Sequence, residues 1–138
     1  MRKIYLSLFF FAALLAGTAP QALAQEPQEP DVNQIIDKQL ETLTRMLNLD
    51  EVQVFFVDSI LQYNYPAMME EIEQTRKTGA SNTETYQAIS DKWMAATDDA
   101  FEKVFTEAQW TRYMKSTYGK EKKRRDKRIG ERVILKND

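Results

Sequence analysis

Leu49-Asp50-Glu51-Val52-Gln53-Val54 is the stretch whose reading decides the fold. Asp50 can accept from the backbone N–H of Gln53, Gln53 can reach back to the N–H of Asp50, and Leu49 can pack on Val54. This is a capping box with a hydrophobic staple, the local chemistry of a helix start. The device recurs 56 residues on, in Phe105-Thr106-Glu107-Ala108-Gln109-Trp110, with Thr106 as cap, Gln109 as its reciprocal partner and Phe105 stapled to Trp110. A third pairing, Ser81 with Glu84, follows the break at Gly79. Each such cap stabilises a helix by about 1 kcal/mol, so three boxes place the starts of three helices.

Working outward, Asp31 or Asn33 can cap a first helix whose apolar positions, Ile35, Ile36, Leu40, Leu43, Met46 and Leu47, recur at three and four and form one stripe. Asn48 ends it. The second helix is expected from Glu51 to Lys77, with a kink at Pro66, because proline removes the bond to the Gln62 carbonyl and crowds it. Those 27 residues would span roughly 40 Å, more than the roughly 34 Å diameter of a compact globule of this size, so an elongated molecule is expected. This helix has two apolar stripes. Val54, Val57, Leu61, Tyr65, Met68 and Ile72 form the core stripe, and Val52, Phe56, Ile60, Tyr63 and Ala67 lie opposite. The third helix, Thr83 to Val104, presents Tyr86, Ile89, Trp93, Ala96, Ala100 and Val104, and carries Asp91, Asp98, Asp99 and Glu102 on its back. A fourth buries Trp110, Tyr113 and Met114 and is expected to stop near Gly119. The fold class is all-α: an elongated four-helix arrangement of two helical hairpins.

Composition sets the chemical limits. The 138 residues are 43% apolar and 29% charged, with 4 Gly and 4 Pro, which suits one helical domain. Cysteine and histidine are both absent. Disulfides, thiolate nucleophiles and imidazole as base or ligand are therefore excluded. No metal site and no cofactor are expected, and the chain reads as non-enzymatic.

Residues 1–24 have the pattern of a secretory signal peptide: Arg2 and Lys3, an apolar run from Ile4 to Ala16, then Ala22-Leu23-Ala24. The run is shorter than the about 20 apolar residues a bilayer core needs, so cleavage after Ala24 and a periplasmic location are expected. Residues 25–31 read as a flexible leader, 32–119 as the helical domain and 120–138 as a basic tail. The body from 25 to 119 carries 8 basic against 17 acidic side chains (net −9), and the tail 9 against 4 (net +5). The tail has no apolar residue to pack between Lys120 and Arg128. It is expected as a solvated end, with docking on its own acidic body, on an acidic partner or on an anionic surface as the other readings.

The two boxes, LDEVQ at 49–53 and FTEAQ at 105–109, resemble the LTxxQ signature of the Spy/CpxP family of small helical periplasmic proteins. Leu49, Asp50, Gln53, Phe105, Thr106 and Gln109 carry the resemblance, with Asp50 for the usual threonine and Phe105 for the usual leucine. It covers roughly residues 33–120. It implies an ATP-independent chaperone that dimerises into a cradle and holds unfolding clients, or a restraint on an envelope-stress sensor. The family's chaperones have a basic concave surface, whereas this body is acidic, which is a departure. Metal-handling relatives use His or Cys, and this chain has neither.

The functional expectation is therefore a homodimeric, chaperone-like protein binding unfolded envelope proteins through Phe56, Ile60, Tyr63, Met68 and Met69. The alternative is a helical adaptor for one specific envelope partner. The competing reading of the second stripe is burial within the fold or a dimer. The carboxylates Glu70, Glu71 and Glu73 and Asp98, Asp99 and Glu102 are expected to be solvated, and nucleic acid is not an expected partner.

Overall fold

The computed structural model describes residues 31–79 and 82–137, and within them every element is helical. The expected signal segment, the leader up to residue 30 and Ser81 lie outside the described residues. Five helices run in order: α1 Val32–Leu47, α2 Glu51–Lys77, α3 Thr83–Val104, α4 Glu107–Lys115 and α5 Thr117–Asn137.

Local chemistry accounts for the starts. Asp31 accepts from Asn33 N at 3.0 Å and opens α1. Asp50 and Thr106 open α2 and α4 with complete capping boxes. The cap of α3 is Asn82, which accepts from Thr85 N at 2.8 Å. Asn48 closes α1 in the left-handed region, φ 53°, which asparagine tolerates better than other residues with a Cβ. Gly79, φ 69°, follows the end of α2. Pro66 lies inside α2.

The apolar stripes meet in one core. Ile36, Leu43 and Leu47 of α1 pack with Leu49, with Val57 and Leu61 of α2, and with Phe101, Phe105 and Tyr113. Five of these side chains have no accessible surface at all: Ile36, Leu43, Val57, Leu61 and Phe101. The aromatic members stack onward from Phe101 through Phe105 and Tyr113 to Trp110 and Tyr118, with centroids 5.2 to 6.1 Å apart. Such spacings carry attraction beyond area burial. α2 packs on both α1 and α3, and α5 packs on α4 and α3.

The C-terminal third departs from expectation. Four helices are expected and five are present among the described residues, because 117–137 is a helix and not a solvated tail. The chain breaks at Ser116, whose hydroxyl donates to Tyr113 O at 2.6 Å and accepts from Tyr118 N at 3.2 Å. Gly119 does not stop the helix. It lies within α5, where a Cβ would come 2.3 Å from the Cα and carbonyl oxygen of Met114. Glycine is required there for the close approach of α5 to the end of α4.

Candidate functional site

The two capping boxes, remote in sequence, are neighbours in space. Gln53 Nε2 donates to Gln109 Oε1 at 2.7 Å, and Gln109 Nε2 donates to Gln53 Oε1 at 3.0 Å. The second amide proton of each goes to the last carbonyl of a helix: Gln53 to Val104 O at 3.1 Å and Gln109 to Leu47 O at 3.3 Å. Each oxygen also accepts from its own cap, Asp50 N at 3.2 Å and Thr106 N at 2.9 Å. Both amides therefore use their two donors and two lone pairs in full. This arrangement joins the ends of α1 and α3 to the starts of α2 and α4. Nearby, Arg112 donates to Met46 O at 3.3 Å. These motif residues hold the core together and offer little to a ligand.

The second stripe of α2 divides. Val52 is 64% exposed, Phe56 48% and Tyr63 72%. Phe55, which the two-stripe reading overlooked, is 66% exposed and meets Phe56 edge-on at 5.6 Å. At 100° per residue these four fall on one face. A count of adjacent aromatics, Phe55 next to Phe56, finds it in the sequence. Ile60 turns partly into the core at the margin of this face. Met69 is exposed but sits about 90° round the helix, beside Ile72, Arg76 and Tyr86. Met68 must be corrected. It is buried, at 8% exposure, because it shares the core stripe with Val57 and Leu61, and it has little surface to give a partner.

The carboxylates on the back of α3 need the larger correction. Asp91 and Asp98 were expected in solvent and are 3% and 2% exposed. Helix α5 covers them with cations the sequence had left as a tail. Arg128 holds Asp91 bidentately, Nε to Oδ2 at 3.0 Å and Nη2 to Oδ1 at 2.7 Å, and Arg132 binds the same carboxylate. Arg125 binds Asp98, which also accepts from the Tyr113 hydroxyl at 2.7 Å. The expectation of a solvated end is corrected: the basic segment docks on its own acidic body. Glu71 is likewise engaged, by Lys92 and by Trp93 Nε1 at 2.7 Å, tying α2 to α3.

Charge state follows environment. Burial would raise Asp91, but its two guanidiniums outweigh that and hold its carboxyl below the ordinary range. At Asp98 burial wins over Tyr113 and Arg125, and the carboxyl is pushed up. Burial, with the Asp98 charge next, pushes the Tyr113 hydroxyl far up, so it stays a donor. Hydrogen bonding from Lys92 lowers Glu71. Perturbed carboxylates mark chemistry where they face a cleft; Asp91 and Asp98 face guanidiniums inside a helix seam. Among the described residues no cluster of three acidic, His or Cys side chains is placed to hold a metal ion, and no helix is long and apolar enough to cross a membrane. Comparison with protein-family models, curated proteins and solved structures finds no match.

Proposed function

We propose that this protein is an exported, periplasmic, ATP-independent chaperone-like protein that holds unfolding envelope proteins and does no covalent chemistry. The observation that carries this reading is the exposure of Val52, Phe55, Phe56 and Tyr63 on one face of α2, beside a core already complete without them. Large apolar side chains gathered on one face mark an interaction surface. Phe55, Phe56 and Tyr63 are the contact residues, with Ile60 at the margin and Met69 on the flank. In this reading the hairpins α1–α2 and α3–α4 form an elongated body, α2 bends at Pro66, and two copies make the working unit. The resemblance of the two clasped boxes to LTxxQ supports the same reading and a link to envelope stress.

The second reading is a helical adaptor for one envelope partner. The stripe lies along a single helix, which suits a partner helix packed against it. Light scattering from two unrelated aggregating clients, without ATP and with the folded protein added, separates them. Suppression of both near stoichiometric amounts, lost in Phe55→Ser and Phe56→Ser, supports the chaperone. No suppression of either removes the chaperone and leaves the adaptor.

A further inference from the structure

Helices α3 and α5 are antiparallel, since Asp98 pairs with Arg125 while Asp91, about two turns earlier, pairs with Arg128 and Arg132. Below this ionic seam the two helices do not close. Ala88, Ala95 and Ala96 are too short to meet Ile129 and Val133, and a trough of about 490 Å³ remains, within the size class of small-molecule sites. It is polarised. Lys92, Arg132 and Lys136 gather at the Ala88 end, and Asp99 stands at the other. Lys92 is paired with Glu71 of α2, and Arg132 shares the single carboxylate of Asp91 with Arg128, so with Lys136 the cluster still holds more cations than carboxylates. Lys136 makes no ion pair among the described residues.

An apolar trough with an excess of cations at one end complements a hydrocarbon chain with a single anionic head, whose methyl end stops short of the exposed Asp99. We propose that this trough binds a free long-chain fatty acid, its carboxylate against Lys92, Arg132 and Lys136 and its chain along Ala95, Ala96 and Ile129. From Ala88 to Asp99 the wall of α3 runs about 16 Å, the reach of one extended acyl chain. A single row of alanines leaves room for one chain, which favours a free fatty acid over a two-chain lipid. The inference uses a different face from the exposed stripe of α2 and stands or falls apart from it.

The test is titration of the full-length folded protein with cis-parinarate, a fluorescent fatty acid, below its micellar concentration. The expected result is saturable binding that dodecanoate displaces at least about tenfold better than dodecanol. Lys136→Glu, at an exposed helix end where folding is not at risk, should weaken binding about tenfold. Ala96→Trp, which fills the trough, should abolish it at unchanged helix content. Four results would overturn the proposal. One is no binding by the folded protein; another is binding indifferent to Lys136→Glu and to the carboxylate. The third is binding lost in Phe55→Ser, which would put the chain on α2. Association with phosphatidylglycerol vesicles but not with monomeric parinarate would also overturn it, and would identify a bilayer surface as the partner.

Discussion

Gln53 and Gln109 exchange two side-chain hydrogen bonds across 56 positions of sequence. Each does so while completing its own capping box and accepting no fewer partners than its chemistry allows. A capping glutamine ordinarily serves only its own helix. Here the same two side chains also supply the last carbonyls of α1 and α3 with donors, so local capping and tertiary assembly share one set of hydrogen bonds.

Gln53→Ala and Gln109→Ala should therefore each cost more than a surface cap. Each change strands the partner amide and a helix-end carbonyl, and an unsatisfied part-buried group costs about 1–3 kcal/mol. The double variant should cost less than the sum, because the second change removes a group already orphaned. Urea denaturation of the four proteins gives the coupling directly, and strict additivity would show that the two amides act independently.

The ionic seam should respond to acid. Asp91 has a lowered carboxyl, so its contribution is present above the ordinary carboxylate value of about 3.9 and is lost as pH falls through the lowered value in the fold. Asp98 has the opposite sign. Its carboxyl is raised, so its contribution is full below the ordinary value and declines as pH rises through the raised one. Asp91→Asn should accordingly flatten the acid side of the stability profile, with thermal melts from pH 3 to 7 as the measurement.

Asp98→Asn tests the buried member of the seam. Arg125 is 9% exposed, and its Nε already lacks a partner. The amide keeps one acceptor oxygen for two buried donors, the Tyr113 hydroxyl and Arg125, and the donor left without a partner costs about 1–3 kcal/mol. Denaturant unfolding should show that loss, and hydrogen exchange should show α5 opening first.

The two glycines of α5 should behave oppositely. At Gly119 an added Cβ would overlap the Met114 backbone, so Gly119→Ala should destabilise by about 2–4 kcal/mol. At Gly130 nothing lies within 4 Å, and Gly130→Ala should stabilise by about 0.5–1 kcal/mol through helix propensity. Melting temperatures of the pair check both signs at once.

Phe55→Ser and Phe56→Ser should leave stability within about 0.5 kcal/mol, as exposed positions do. A large loss in either would mean that the stripe belongs to an interface required for folding.

The starts and ends of the first three helices were legible because they are written in adjacent residues. Asp50 with Gln53 and Thr106 with Gln109 are complete within four positions, and an apolar side chain every three or four residues declares its face. Legibility failed where the partner was far away. The run from Lys120 to Arg128 has nothing apolar to bury, so by itself it reads as solvated. It becomes a packed helix because Asp91 and Asp98 stand about two turns apart on α3 and accept Arg128, Arg132 and Arg125. The same pairing buried carboxylates that look exposed by periodicity, since periodicity separates apolar from polar and says nothing of an ion pair.

Sequence alone determined the all-helical class, the bounds of α2 and α3 and the chemistry excluded by the lack of Cys and His, because these depend on composition and on contacts within a few residues. Only the tertiary structure decided that the two boxes clasp each other, that Met68 turns inward while Phe55 stays out, and that the basic segment folds back on the acidic helix. Each of those depends on which distant surfaces meet. A charged side chain is neutral in its preference between water and an oppositely charged neighbour until the fold puts that neighbour in reach.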